Sequence, residues 1–515
     1  MSQKVQIRLP FDVDLEGHLK KEFPLLRDFR LISRSLDARG ASRGKKPVYN
    51  YQIDLIESGE VFEKTTESLS KKNQPKQMPL IIGAGPAGLF CALRLLDHGI
   101  KSNIIERGAS ANNRMKHIAR HWRYGEFDSD NNVCFGEGGA GLFSDGKLIT
   151  RVKSPFIQYV MNRFVDFGAP KEIAYESNPH LGSNKIRGLI SKITDHLREN
   201  GCEIHYHKKM SELLLNSSNE VTGVKCSDGT EFKTNCVVLA VGHSAHDIYR
   251  HLEQTGVAMA SKDFAVGVRV EHSRAQMDKL QFGDFSGHPA LGTARYRLSW
   301  HDKSNDLGTY SFCMCPGGYV LSSGTDADGI VVNGMSNYAR NSRWSNSALV
   351  VTVKNNFSTK EVLAGLDYQR QIEKRAFDIS KKVASGKEVP AQTIEQFLMG
   401  KDANIKGVKH SCPSGIFDYD LNQVLPSEVT SQLKKALEVF NRQIGGFSDV
   451  GGVLMAPETR TSAPVTISRD KKTRMSLSHA GLFPCGEGAG YAGGITSAGI
   501  DGINIAESII KLYCN

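Results

Sequence analysis

The 515-residue sequence predicts an α/β fold, and three observations carry that prediction. "PLIIGAG" (79–85) and "NCVVLAVG" (235–242) are near-continuous apolar runs ending in glycine, as parallel strands buried on both faces read. "PAGLFCALRLLDHG" continues the first run with helical spacing, so strand, turn and helix follow in βαβ order. The C-terminal segment returns to a strand, a glycine-rich turn and an amphipathic helix.

Residues 1–70 read as a small N-terminal α+β domain. "KVQIRLPF" and "VYNYQIDLI" look like strands, with "DLEGHLKKEF" as a short helix between them. The polar "SLSKKNQPKQ" is a linker. Residues 78–252 carry the first buried strands. Residues 253–446 alternate strand-like runs ("FAVGVRVEH", "TYSFCMCPGGYVL", "GIVVNGMS") with helical ones ("DYQRQIEKRAFDIS"), a mixed α+β unit expected to hold substrate. Residues 447–515 form the return.

Composition narrows the class. At 40% hydrophobic and 23% charged the chain reads as an ordinary soluble globular protein, and its length favours two or three domains. Ten scattered cysteines and no secretory leader point to the cytoplasm. The uncharged stretch Met78–Leu93 is too short, and too broken by glycine and Pro86, to span a membrane. The net charge of +10 has one concentration, nine Lys and Arg between Lys20 and Lys46. Such a patch is read first as a solvated face; nucleic acid is the less expected alternative.

The stretch from Pro79 to Gly108 is the most informative. The strand Leu80–Ile82 runs into Gly83, Gly85 and Gly88, the three positions of G-x-G-x-x-G. Glu106 closes the next strand eighteen positions after Gly88. Gly83 permits the tight turn, Gly85 lets a pyrophosphate approach the backbone, and Gly88 lets helix and strand pack closely. The helix N-terminus beginning at Pro86 aims amide donors at the phosphates. Glu106 can accept from adenosine ribose hydroxyls. A dinucleotide is expected here, with strand, helix and acid all in place.

The C-terminus decides between FAD and NAD. "GLFPCGEGAGYAGGITSAGIDGINIAESII" (Gly481–Ile510) resembles the second FAD signature of glutathione-reductase-like flavoproteins, with Gly486 and Glu487 where the commoner acid is Asp. A helix N-terminus, worth about half a positive charge, suits the negative charge of a reduced flavin. Gly493, Gly494, Thr496, Ser497 and Ala498 are small enough to let a ring approach.

Several stretches together ("FGEGGAGLFSDGKLITR", "LAVGHSAHD", "FAVGVRVEH", "YSFCMCPGG", "VVNGMS", "ETRTSAPV", "GEGAGYAGGI") resemble the bacterial FAD-dependent dehydrogenase-like proteins over nearly the whole chain. The resemblance implies a glutathione-reductase-like architecture: a discontinuous FAD-binding Rossmann domain, a substrate domain and the small N-terminal domain. It makes the glycine-rich stretch Phe135–Leu148 a loop beside the isoalloxazine ring. That stretch is not a P-loop, since Leu148 stands where Ser or Thr is needed. The expected FAD contacts are Gly83, Ala84, Gly85, Pro86, Ala87, Gly88, Glu106, Arg107, Arg114, Gly138, Gly139, Ala140, Gly141, Met210, Ala240, Gly242, Gly486, Glu487, Gly494 and Ile495. Met210 is placed at the adenine, on the strand after "GCEIHYHKK".

FAD carries the redox step, so the expected activity is an oxidoreductase moving a hydride between flavin and a small organic substrate. NAD(P)H would be a transient reductant, or the substrate itself would reduce the flavin, because a second dinucleotide fingerprint is missing. No C-x-x-C pair supports a dithiol relay, and no Cys/His spacing suggests a metal. Cys313 and Cys315, two apart on a strand, read as core packing ahead of a redox pair. Arg460, Glu458 and His243 are the candidates for substrate binding and proton transfer; an Arg–Glu pair on neighbouring strands and a turn-capping histidine are the structural alternatives. Tyr491, Lys147, Asp145 and Arg269 stand in motif-like stretches without an assigned role. Two other functions fit the same residues: a flavin-dependent RNA-modifying enzyme gripping phosphates with the basic N-terminal unit, and a non-catalytic flavin-binding protein that docks a partner there. The oligomeric state is left open by the sequence.

Overall fold

A computed structural model describes residues 3–56, 69–355, 361–401, 403–449 and 451–514. The end of the expected N-terminal unit, 57–68, lies outside the described residues.

The strand Leu80–Ile82 is the middle of a five-stranded parallel sheet. Its order is Leu482–Pro484, Val237–Leu239, Leu80–Ile82, Asn103–Glu106, Glu203–Tyr206. Both faces are covered, which explains the unbroken apolar runs. Ile81, Ile104 and Val238 pack into the core formed with the helices Pro86–Asp97, Gly182–Glu199 and Ile495–Tyr513. Leu80, Ile82, Ile105, Val237 and Leu239 alternate to the other face. There they meet the three-stranded antiparallel sheet Met210–Leu215, Val221–Cys226, Glu231–Lys233. The first and last helices of the domain, far apart in sequence, pack backbone to side chain. A Cβ on Gly502 would stand 2.0 Å from the Ala87 carbonyl oxygen, and one on Gly499 would be 3.0 Å from the Phe90 ring.

The middle of the chain builds a seven-stranded mixed sheet. Its order is Ser299–Asp302, Leu307–Cys315, Trp344–Val353, Phe264–Ser273, Val453–Glu458, Val389–Thr393, Ile416–Asp418. Helices Ala364–Val383 and Ser427–Gln443 contribute Ile372, Ala376, Leu433, Leu437 and Phe440 to its core. The strand Val453–Glu458 thus belongs to this sheet before the chain returns to the parallel one.

The N-terminal unit is a three-stranded antiparallel sheet, Gln3–Pro10, Val48–Ile56, Asp28–Asp37, with Val48–Ile56 central. Leu19 of helix Leu15–Glu22 closes its core against Leu9, Tyr51, Ile53 and Leu55. The strand Asp28–Asp37 escapes the sequence reading because a bulge between Leu31 and Ser33 breaks its alternation. This unit touches both larger bodies. Arg34 exchanges backbone hydrogen bonds with Tyr175 and Ser177 and pairs with Glu176. Phe11 packs with Phe282, Leu291 and Ala294. Among the described residues, no helix is long and apolar enough to cross a membrane.

Candidate functional site

A cavity of about 1610 Å³ runs between the parallel sheet, the seven-stranded sheet and the N-terminal unit. Its floor is the turn after Leu80–Ile82, where each glycine does a different job. A Cβ on Gly83 (φ 103°) would fall 2.5 Å from the Ala240 carbonyl oxygen, and one on Gly88 would fall 2.1 Å from that of Gly83. Gly85 faces open space, with the Gly139 Cα 3.9 Å from where its Cβ would stand. Pro86 opens the helix at a position whose missing N–H costs nothing. The Glu106 carboxylate accepts from the backbone N–H groups of Ala84, Gly108 and Gly136, each at 2.9 Å. It is thereby fixed at the lip of the cavity.

The loop Phe135–Leu148 lies between the two ends of the chain's fingerprint. Gly138 donates to the Ala84 carbonyl at 2.8 Å, Gly141 faces Ile495, and the Thr496 hydroxyl donates to the Leu148 carbonyl at 2.8 Å. Arg114, expected at the cofactor, stands behind this loop, and that expectation is corrected: it is fully buried and does not line the cavity. Its guanidinium donates to the carbonyls of Asn132, Val133, Gly136, Glu137 and Gly139 at 2.7–3.1 Å. Burial pushes its pKa down to about 10, opposed by Glu106 and Glu137. Arg114 is a positioning residue. Ala84, Gly88, Gly138 and Gly486 also sit outside the cavity lining. Gly486 instead packs on Ala87 and donates to Asp501, which is paired with Arg469.

The remaining expected cofactor residues line the cavity: Gly83, Gly85, Pro86, Ala87, Glu106, Arg107, Gly139, Ala140, Gly141, Met210, Ala240, Gly242, Glu487, Gly494 and Ile495. Arg107 is held by Asp130 and Asp247, with its guanidinium over the Phe135 ring at 4.1 Å. Glu487 lies 3.9 Å from His243. Burial, then Cys313, pushes Glu487 up to about 7, while Lys262 opposes. Burial and Arg460 push His243 down to about 4, against Glu373. At neutral pH the histidine is neutral and the carboxyl is partly protonated. The helix Ile495–Tyr513 begins at the cavity wall, where Ile495, Ser497 and Ala498 face inward.

Arg460 and Glu458 reach the cavity, but their charges are matched from within the protein. Glu458 takes a bidentate pair from Arg269 of the neighbouring strand, at 2.9 and 3.1 Å. Arg460 binds Glu373 at 2.8 and 2.6 Å, Asp326 at 3.0 Å, and the Thr325 hydroxyl. Both stand in the walls of the site, and Glu458 pairs with Arg269, not with Arg460. Tyr491 is stacked under the Arg469 guanidinium at 3.6 Å. Asp145 pairs with Arg340 and accepts from Ser336.

Cys313 and Cys315 have different surroundings. Cys315 is core, beside Arg269, whereas Cys313 lines the cavity. The strand is irregular between Phe312 and Cys315, and Cys313 takes φ +46°, so simple alternation does not apply. Lys147 anchors to the Met314 carbonyl beside it. Among the described residues there is no His, Cys, Asp and Glu cluster able to hold a metal.

One wall is not marked by any sequence motif. Arg34, Arg39 and Tyr49 of the N-terminal unit, with Arg151, Arg295 and Arg297, also line the cavity. Arg295 and Arg297 of "ARYRLSW" stand in irregular chain just before strand Ser299–Asp302, and Tyr296 and Leu298 line the cavity with them, so no period-two pattern marked the pair. The basic run 20–46 is partly matched within the protein: Lys20, Arg30, Arg34, Arg39 and Lys46, five of its nine cations, pair with carboxylates.

Comparison with known proteins agrees with this geometry. The family model "FAD-dependent protein, C-terminal domain-like" matches residues 263–461, and an "FAD binding domain" model matches residues 78–120. An uncharacterized protein of Clostridium beijerinckii (strain ATCC 51743 / NCIMB 8052) is 38% identical over 498 residues, covering 94% of this chain and 92% of its own. Among solved structures, CmlS, a flavin-dependent halogenase, is 13% identical and covers 86% of this chain and 59% of its own, with a TM-score of 0.37. A GidA-related protein from Thermus thermophilus is 15% identical and covers 37% of this chain and 72% of its own, with a TM-score of 0.23. The residues themselves fit FAD. At Gly242, Gly493 and Gly494 an added Cβ would meet nothing within 4 Å, so these glycines face room that protein does not fill. The chain belongs to the family of FAD-dependent proteins that carry this C-terminal domain, and FAD is its cofactor.

Proposed function

We propose that this protein is an FAD-dependent oxidoreductase with a glutathione-reductase-like arrangement of its cofactor. Bound FAD supplies a hydride acceptor or donor for an organic substrate. Glu106 and Met210 hold the adenosine end, and the Gly83–Ala87 turn with its helix N-terminus holds the pyrophosphate. Gly139–Gly141 and the Gly494–Ala498 helix start flank the ring end. Glu487, its pKa raised to about 7 by burial and Cys313, can hold a proton there, with neutral His243 at 3.9 Å. Arg114 fixes the loop, and the Arg269–Glu458 and Arg460–Glu373 pairs stiffen the opposite wall.

One observation supports this reading above the others: Glu106 and Glu487, 381 positions apart in sequence, line the same cavity. At about 1610 Å³ the cavity also exceeds the usual range of ligand pockets, roughly 300–1,000 Å³, which leaves space for a second molecule beside the cofactor. The reductant is the substrate itself or a transiently bound NAD(P)H. The place of action is the cytoplasm, in keeping with ten free cysteines.

The test is an anaerobic half-reaction screen. Yellow, FAD-loaded protein is mixed with metabolite pools and with NADH or NADPH while the visible flavin band is followed. Bleaching by a defined donor supports the proposal. Protein that binds FAD but resists reduction by every donor refutes it in favour of a non-catalytic flavin carrier.

A further inference from the structure

We infer that the substrate handled beside the flavin is a small organic anion, gripped through a carboxylate or phosphate by Lys147, Arg151, Arg295 and Arg297. This rests on the oxidoreductase reading above and names its substrate class.

The four cations come from two separate parts of the chain and line the same cavity, under the roof made by Arg34, Arg39 and Tyr49. Among the described residues, none of the four has a carboxylate partner. Lys147 donates to the Met314 carbonyl, and Arg295 donates to the Asn178 carbonyl at 3.2 Å. The acids that share the cavity are already engaged. Asp145 pairs with Arg340, Glu176 with Arg34, Glu458 with Arg269, and Glu106 accepts three backbone N–H groups. Glu487 lies beside His243, its carboxyl held partly protonated by burial and Cys313.

The contrast with the rest of the molecule is informative. Arg460, Arg269, Arg340 and Arg107 stand in or against the walls of this cavity, and each is answered by a carboxylate from the chain. The fold therefore supplies partners where charge is structural. Arg151, Arg295 and Arg297 stay open to the solvent of the cavity, with Asp145 and Glu176 near enough to act on Arg295, so an incoming anion meets charge that water, not a bonded carboxylate, satisfies. Arg295 is reached by solvent inside the cavity, yet burial and the like charge of Arg340 push its pKa down to about 10. Guanidinium forks match carboxylate and phosphate oxygens in pairs, and low-dielectric walls focus the field on an incoming anion.

The segment holding Arg295 and Arg297 leads into strand Ser299–Asp302, which pairs with Leu307–Cys315, and the Leu298 N–H donates to the Ser311 hydroxyl at 2.8 Å. Tyr310, Phe312 and Cys313 of that neighbouring strand line the same wall. The grip is thus built on a sheet, with apolar and aromatic surface beside it for the uncharged part of the substrate.

The experiment titrates oxidised, FAD-loaded protein with inorganic phosphate, succinate and benzoate, and in parallel with the neutral succinamide and benzamide. Binding is read by calorimetry and by the flavin visible spectrum. At least one anion is expected to bind with a Kd below about 10 mM, and at least about tenfold more tightly than its neutral counterpart. Phosphate against succinate and benzoate tells which anionic group the site prefers. Arg295→Gln combined with Arg297→Gln should weaken that binding about tenfold or more while FAD content stays at the wild-type level. Arg151→Gln is a second, milder variant, should the double substitution fail to fold. Amides that bind as well as the acids, variants that bind anions unchanged, or flavin-loaded protein that binds none of the anions would overturn the inference. Protein that cannot be loaded with FAD would instead overturn the reading on which it rests.

Discussion

Glu487 and His243 are two titratable groups pushed toward neutrality by the same burial. Their ordinary values of 4.5 and 6.5 become about 7 and about 4. A carboxyl whose folded pKa is raised keeps its proton after the unfolded chain has lost its own. Its contribution is complete below about pH 4.5 and is lost as pH rises to about 7. Across that window Glu487 therefore lowers the stability of the FAD-free protein as pH rises. His243, held neutral by burial, acts in the opposite sense in wild type and variant alike, so the test is the difference between the two. Glu487→Gln should remove the loss, leaving the variant about 1–3 kcal/mol more stable than wild type at pH 8, as read from denaturant midpoints at several pH values. A wild-type profile parallel to the variant's would show that the site does not hold this proton. Cys313 is the second residue-scale handle. The neighbouring Cys315, whose thiol donates to the Cys313 carbonyl at 3.2 Å, with Lys147 and Arg269 behind it, pulls the Cys313 thiol down to about 6 against burial. Iodoacetamide at pH 7 should modify Cys313 ahead of the other nine cysteines, and more slowly once FAD fills the cavity; mass spectrometry of the labelled peptides decides. The sequence showed this C-x-C pair but not its split, because the positive φ at Cys313 is set by the sheet around it.

At the scale of elements, the fingerprint was readable because its chemistry is local. Three glycines, a strand before and a helix after fix a turn whatever the rest of the chain does. The structure separates their roles. Gly88→Ala and Gly502→Ala would drive a Cβ to 2.1 and 2.0 Å from a carbonyl oxygen, prying helix from strand and helix from helix. Each should lower stability by about 2–4 kcal/mol in urea denaturation. Gly85→Leu stands at φ −80°, facing the cavity, and should fold normally while losing FAD affinity at least about tenfold. Should the stability losses appear at Gly85 and the affinity loss at Gly502, the assignment of roles would be reversed. The loop Phe135–Leu148 was recognisable as ordered from its glycine-rich but apolar composition. Arg114 was misplaced because its five carbonyl partners gather only when residues 132–139 curl around it. Arg460 and Glu458 were visible as charged residues in a motif-like strand, whereas their true partners, Glu373 and Arg269, lie on elements 87 and 189 positions away.

The whole molecule brings together what the chain separates. Strand Val237–Leu239 sits between Leu80–Ile82 and Leu482–Pro484, and the helices Pro86–Asp97 and Ile495–Tyr513 lock on glycine. That closure places both fingerprints on one cavity and lets the N-terminal unit roof it. The parallel core was legible because strands buried on both faces leave unbroken apolar runs. The cationic wall was not, because Lys147 and Arg151 share a cavity with Arg295 and Arg297 only in the folded chain. The most direct measurement is a crystal structure of the protein loaded with FAD. One FAD per chain is expected, with its adenosine at Glu106, its pyrophosphate over Gly85 and its ring between Gly139–Gly141 and the start of the Ile495–Tyr513 helix. Density for FAD in any other place, or at only one of the two fingerprints, would contradict it.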